Sequence, residues 1–187
     1  MQIGIIIAAI ILIIILFTWA SYNSLVKLNE RVNEAWSDIT VQLKRRSDLI
    51  PNLVETVKGY AKHENEAIKA VSDARAKMMG ARSVKETAEA DQSFMGALSR
   101  IMAVSESYPE LKANENFKQL SSELSDTEDK IQAARRFYNA GAKELNTKIQ
   151  LFPTNLINKM LKFKKRDYYE VDEAEAKKIA NAPEVKF

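Results

Sequence analysis

The sequence predicts an all-α membrane protein: one N-terminal transmembrane helix followed by an antiparallel four-helix bundle. None of its 28 Lys+Arg and 25 Asp+Glu residues lies within the first 20 positions, so an apolar segment precedes a charged domain. Only 5 Gly and 4 Pro interrupt the 187 residues. In the charged part, apolar residues recur at steps of three and four, which is the period of an amphipathic helix.

The apolar segment from Ile3 to Ala20 has the length of a membrane span. A helix over these residues would be about 27 Å long, close to the thickness of a bilayer core. Trp19 and Tyr22 stand where aromatic residues meet a membrane interface. A cleaved signal peptide is the alternative, but the positively charged start of such peptides is missing. We therefore assign residues 1–20 to a transmembrane anchor that contacts lipid through residues 3–20.

Positive charge after the span predicts its orientation. Lys27 and Arg31 follow it closely, and Lys-Arg-Arg at 44–46 lies further on, whereas Met1 and Gln2 have uncharged side chains. Lys and Arg near a span favour the cytoplasmic side. We expect a single-pass protein of the inner membrane, with its N-terminus outside and the bundle in the cytoplasm.

Breaks between the helical stripes predict four helices after the anchor. The predicted breaks are Pro51, Met79-Gly80, Tyr108-Pro109 and Pro153. Capping boxes beginning at Asn52, Ser83 and Asn116 predict where the next helix starts after the first three breaks. The predicted helices lie near residues 21–49, 52–79, 84–107 and 115–152. Because a helix with one apolar stripe must bury it against others, we expect a bundle over residues 21–153. The alternative is one kinked helix over 21–79 that packs with the two later helices.

Residues 154–187 begin with an amphipathic segment and continue as a charged tail. Five cations accompany the apolar residues of the segment: Lys159, Lys162, Lys164, Lys165 and Arg166. Four antiparallel helices would return the chain to the bilayer here, where these cations would meet anionic lipid and Tyr168 and Tyr169 could sit at the interface. The alternative is that the apolar face covers the end of the bundle as a lid.

Polar residues around Pro51 form a first candidate site: Arg45, Arg46, Asp48 and Asn52. They could form a partner-docking tip, or simply a basic turn that caps helix ends. Arg46 also falls on the apolar stripe, and a buried arginine needs a carboxylate partner. The candidate partners are Glu55, Glu106 and Glu128.

A second candidate, Arg135, Arg136 and Asn139, surrounds two aromatic residues. Alternating cations and aromatics can bind nucleic acid, but Tyr138 falls on the core stripe, so we expect a structural role and no nucleic acid. His63 stands among polar residues and is expected at the surface. The absence of Cys and the single His exclude disulfides and a His-based zinc site. We predict no catalytic residue, metal or cofactor.

Several longer stretches resemble the LemA family. They include Gln42 to Val54, Tyr108 to Asn114, Arg135 to Asn139 and the closing Pro-x-Val-Lys-Phe. The resemblance covers essentially residues 17–187. It implies a bacterial protein with one N-terminal span and a four-helix bundle, no established enzymatic activity, and an association with cell-envelope stress or, in some members, magnetosome membranes. Gly141-Ala142 departs from the bulkier apolar pair common in the family, which predicts a locally looser helix.

We therefore expect a non-enzymatic, self-associating membrane scaffold or adaptor with a possible membrane-protein partner. The alternatives are a regulator of a membrane protease or another membrane enzyme, and a peripheral lipid-organising protein. Val26 and Val41, which lie off the core stripe, predict homo-oligomers.

Overall fold

The computed structural model describes residues 2–170, and every regular element within them is a helix. The elements are α1 (Gln2–Tyr60), α2 (Asn65–Gly80), α3 (Val84–Ser107), α4 (Pro109–Ala113), α5 (Glu115–Lys148) and α6 (Thr154–Leu161). The all-helical class is confirmed, and the antiparallel four-helix arrangement stays a prediction. The charged tail beyond Glu170 lies outside the described residues.

The predicted break at Pro51 is wrong, because α1 runs through it to Tyr60. A proline inside a helix leaves the carbonyl four residues earlier without its usual donor. Here that carbonyl belongs to Ser47, and Nε of Arg75 in α2 donates a hydrogen bond to it at 2.8 Å. The side chain of Arg75 therefore replaces the missing backbone donor. Neither the break at 51 nor a single helix to 79 is found, since the chain turns between Tyr60 and Asn65.

The other predicted boundaries agree more closely with the structure. α2 ends at Gly80, and Ser83 caps α3 by accepting a hydrogen bond from the Glu86 backbone at 3.2 Å. Pro109 opens the short α4. The cap of α5 is Asn114, whose Oδ1 accepts from the Phe117 backbone at 3.0 Å, rather than the predicted Asn116.

The chain divides into two compact units, and α1 and α5 each contribute to both. Unit 1 contains residues up to Ser37 together with Arg135–Tyr168. Its two long helix segments run antiparallel, because Ser24, Arg31 and Trp36 contact Lys148, Glu144 and Tyr138 in reverse order. The pair approaches closely at Gly141, where a Cβ atom would lie 3.3 Å from Val32 Cγ2. The predicted loosening is not found, since α5 is continuous through Gly141.

Unit 2 contains Asp38–Ala134 and, among the described residues, Tyr169 and Glu170. α2 packs against α3 in this unit, and buried apolar side chains from α1, α2, α3 and α5 form its core. The core includes Ile39, Leu53, Val71, Phe94, Ile101 and Ile131. Ile39 with Leu53, Phe94 with Ile101, and Ile131 lie on the three apolar stripes that the sequence predicts, and they are buried. No stripe was predicted for Val71.

Candidate functional site

A buried charge cluster occupies the core of unit 2. Arg46 is only 1% exposed, and its guanidinium bonds two carboxylates, Asp91 on α3 and Glu128 on α5. The Glu128 oxygen lies 2.6 Å from the nearer guanidinium nitrogen. The guanidinium also lies 4.5 Å from the ring centre of Phe94, so that an aromatic face covers it.

Tyr169 extends this Arg46 cluster. Its phenol donates a 2.6 Å hydrogen bond to Oδ2 of Asp91, and the side chain is buried. This corrects the expectation that Tyr169 stands at a membrane interface. The segment after α6 thus ends in a contact with the charged core of unit 2.

Sequence reasoning predicted part of this cluster. Arg46 is buried on the apolar stripe, and Glu128 was one of its three candidate partners. Asp91 was missed, although it lies three residues before Phe94 and so extends the α3 stripe. The presence of a carboxylate on that apolar stripe could have identified Asp91 as a partner of Arg46.

The rest of the predicted Pro51 cluster does not join Arg46. Arg45, Asp48 and Asn52 are exposed on the surface of α1, and no helix ends there for them to cap. Asn52 lines an open groove of about 490 Å³ between α1 and α5 of unit 2. The groove also contains Glu55 and Glu123, together with amide and leucine side chains.

The second predicted cluster is divided by burial. Tyr138 is buried and packs against Trp36 with ring centres 5.5 Å apart, whereas Arg136 and Phe137 are exposed. Arg135 and Asn139 are half-buried. The Tyr138 phenol donates to the Asp167 carbonyl at 2.9 Å. Burial raises the pKa of this phenol above 10.0; Arg166 opposes the shift and Asp167 adds to it.

Arg166 forms a clamp in unit 1. Its guanidinium donates to Oδ1 of Asn29 and of Asn33, both at 2.8 Å. Its backbone N–H and carbonyl bond the side chain of Asn146, again at 2.8 Å each. Arg166 was predicted to contact lipid, and the structure instead uses its side chain to hold the segment after α6 against α1 and α5.

The predicted amphipathic segment forms α6, and some of its apolar side chains are uncovered. We call the surface made by this helix and its flanking turns the α6 surface. Its exposed apolar residues are Leu151, Phe152, Leu156 and Met160, and its exposed cations are Lys159, Lys162, Lys164 and Lys165. A lid would bury those apolar residues, and Met160 is 83% exposed. The lid interpretation is therefore wrong for Leu156 and Met160, whereas Ile157, Leu161 and Phe163 are half-buried.

The N-terminal part of α1 is the one helix segment among residues 2–170 that is long and apolar enough to cross a membrane. None of this apolar stretch is buried against the rest of the protein. Trp19 and Tyr22 are exposed at its end, as the interfacial prediction requires.

Within residues 2–170, no three acidic or His side chains are grouped to hold a metal ion. His63 lies at the surface, as expected. The acidic side chains of the Arg46 cluster are engaged by Arg46 and Tyr169.

Comparison with known proteins finds relatives that match most of this chain. The LemA family model matches residues 35–187. Protein LemA of Metamycoplasma hominis is 32% identical, over 84% of this chain and 70% of its own length. Magnetosome protein MamQ 2 of Paramagnetospirillum magneticum is 28% identical over 80% of the chain, and MamQ of Magnetospirillum gryphiswaldense is 27% identical over 79%. The chain spans 64% of the length of each of these MamQ proteins. With its family match over most of the sequence, the chain belongs to the LemA family.

Proposed function

We propose that this protein is a membrane-anchored, non-enzymatic scaffold or adaptor that associates with itself and with a membrane-protein partner. The observation that carries the proposal is that acidic side chains of the core are already bound within the protein, while apolar side chains are exposed at its surface. Arg46 binds the buried carboxylate of Asp91 and the half-buried carboxylate of Glu128, while the exposed apolar side chains lie on outward helix faces that can bind another surface.

The N-terminal span supports the membrane anchoring. Its apolar residues are uncovered in the monomer, and a bilayer is the environment that covers such a helix. The MamQ relatives are named as magnetosome proteins, and the LemA resemblance implies membrane proteins. An association with cell-envelope stress is part of the same proposal and rests on the family alone.

We infer a cytoplasmic bundle from the positive charge that follows the span. A reporter fused after Phe187 that is active only in the cytoplasm is expected to be active. Activity of a periplasmic reporter at the same position, with the cytoplasmic one silent, would reverse the orientation.

Self-association is supported by exposed apolar side chains away from the core. Val41 on α1 and Phe137 on α5 are exposed, while Val26 is half-buried. Cross-linking and mass spectrometry in native membranes should recover links between two copies and links to a partner. Val41→Glu should reduce the self-links, whereas Thr40→Glu, at the exposed neighbouring position, is the matched control. A single chain per detergent micelle over a wide concentration range would contradict self-association.

The enzyme alternative is tested at the groove of unit 2. Glu55 and Glu123 are its two carboxylates, and a hydrolase that acted there would need at least one of them. We expect purified protein to show no turnover that Glu55→Gln or Glu123→Gln abolishes. Turnover lost in either variant, with folding intact, would overturn the non-enzymatic assignment.

The lipid-organising alternative is favoured by one observation, the exposed apolar and basic side chains of the α6 surface. A regulator of a membrane protease would bind its enzyme and should be found among the cross-linked partners.

A further inference from the structure

We propose that the α6 surface is a second membrane contact, which lies in the headgroup region of an anionic leaflet beside the transmembrane span. The inference rests on the membrane anchoring in the proposed function and adds a lipid class and a binding surface to it. It does not depend on which side of the membrane the bundle occupies.

The position of α6 is fixed at both of its ends by unit 1. Before α6, Nζ of Lys148 bonds Oγ of Ser24, which lies four residues beyond Ala20 on α1. After α6, Arg166 bonds Asn29 and Asn33 on the same helix. At the rise of an α-helix, Ser24 and Asn29 stand about 6 Å and 14 Å beyond the last residue of the span. The α6 surface is therefore tethered to the part of α1 that leaves the bilayer.

Its apolar side chains have the amount and kind of exposure that an interfacial helix needs. Phe152 and Met160 are 78% and 83% exposed, and Leu151 and Leu156 are more than half exposed. A short amphipathic helix at a membrane places such residues at the boundary between headgroups and acyl chains. In water, the same residues would form an exposed apolar patch.

Charge selects anionic lipid as the occupant. Residues 145–166 contain six cations and no Asp or Glu, although the whole chain has 25 acidic residues. Lys148 and Arg166 are engaged with Ser24 and with the asparagine side chains, which leaves Lys159, Lys162, Lys164 and Lys165 exposed around α6. Each lysine near an anionic surface strengthens binding by about fivefold. The apolar side chains of this surface match the membrane interior, and its lysines, with no acidic residue among them, match the negative charge of an anionic leaflet.

The experiment uses the full chain reconstituted in vesicles and takes advantage of its lack of cysteine. A fluorophore is attached to single cysteines at three positions: Met160→Cys on the α6 surface, Ile10→Cys in the span, and Met79→Cys on α2. Met79 is exposed like Met160 and serves as the matched control. Quenching by a nitroxide lipid and by an aqueous ion is compared in phosphatidylcholine vesicles with and without phosphatidylglycerol. Far-ultraviolet circular dichroism confirms the helical content of each variant.

We expect lipid quenching at residue 160 to approach that at residue 10 in anionic vesicles, while the label at residue 79 is reached by the aqueous ion. Replacing Lys159, Lys162, Lys164 and Lys165 with Gln should reduce lipid quenching at residue 160 severalfold. The same replacement of four exposed lysines of unit 2, Lys44, Lys58, Lys62 and Lys69, should leave it unchanged.

Three results would overturn the proposal in different ways. Lipid quenching at residue 10 with aqueous quenching at residue 160 would remove the α6 contact and keep the anchor. If lipid quenching at residue 160 is equal in neutral and anionic vesicles and is unaffected by the lysine replacements, the assignment to anionic lipid is overturned. Aqueous quenching at residue 10 would overturn the anchoring and the α6 contact together.

Discussion

Two buried or half-buried arginines show how differently the two units treat positive charge. In unit 2, Arg46 is sealed in the core and neutralised by Asp91 and Glu128. In unit 1, one guanidinium nitrogen of Arg166 donates to the neutral oxygens of Asn29 and Asn33, which do not compensate its charge.

The charge of Arg46 is therefore structural, whereas the charge of Arg166 is available to a binding partner. A guanidinium between two carboxylates cannot bind another anion, and replacing it lowers the stability of the fold. A guanidinium held by amides keeps the surrounding region positive, which adds to the four lysines of the α6 surface. The count of basic residues in the sequence cannot distinguish these two uses, because both look alike before their partners are known.

Removing the charge of Arg46 is expected to have the largest effect, and it tests whether this arginine has the structural role described above. Arg46→Met removes the guanidinium that pairs with Asp91 and Glu128, and we expect a loss of about 3–5 kcal/mol in the free energy of unfolding. Denaturant unfolding followed by circular dichroism measures the loss. Arg45→Met, at the exposed neighbouring position, should change the stability by less than about 0.5 kcal/mol.

A rescue variant sharpens that result. Combining Arg46→Met with Asp91→Leu and Glu128→Leu removes all three charges together, and an apolar replacement of this kind should recover most of the lost stability. If the triple variant is as unstable as Arg46→Met, the loss comes from altered packing rather than from the missing ion pairs with Arg46.

The contact of Tyr169 with the Arg46 cluster should have the next largest effect. Tyr169→Phe removes a hydrogen bond to a buried carboxylate and should cost about 2 kcal/mol. Tyr168→Phe, at the more exposed adjacent phenol, is the matched control and should be nearly neutral. Equal unfolding midpoints for the two variants would show that the 2.6 Å bond to Asp91 contributes nothing.

Arg75 and Pro51 should prove coupled through the Ser47 carbonyl. Arg75→Ala leaves that buried acceptor without its donor and should cost about 1–2 kcal/mol. In a Pro51→Ala background the backbone N–H of residue 51 can bond Ser47, so the cost of Arg75→Ala should fall by about 1 kcal/mol. A double-mutant cycle measures this coupling, and additive effects would refute the assigned role of Arg75.

Two glycines should show the smallest effects and a difference between the units. Gly96 lies on an exposed face of α3 with open space around it, so Gly96→Ala should stabilise the helix by about 0.5–1 kcal/mol. At Gly141 the same gain is opposed by the 3.3 Å approach of Val32, and we expect a net change below about 0.5 kcal/mol. Adding Val32→Ala should make Gly141→Ala more favourable in thermal unfolding; no difference would mean that the contact is not tight.

The sequence was most informative where the determinants are local. The cap at Ser83 and the ends at Gly80 and Pro109 depend on neighbouring residues, and they were predicted correctly. The break predicted at Pro51 was wrong because the hydrogen-bond donor that permits a proline there, Arg75, lies on another helix. Burial of Arg46 followed from helix periodicity, but its partner Asp91 depends on how α3 packs, which no local pattern states. Likewise, nothing near Arg166 reveals that Asn29 and Asn33 bind it.

The continuity of α1 has a mechanical consequence for unit 1. No break separates Ala20 from Ser37, so this stretch of about 25 Å moves as an extension of the span. A tilt of about 10°, of the kind that a change in bilayer thickness imposes, displaces its far end by about 4 Å. Because the segments flanking α6 are bonded to Ser24 and Asn29 of that same helix, the tilt would also change the depth of α6 at the membrane contact proposed above. Membrane thickness would thereby be converted into the immersion of a short amphipathic helix.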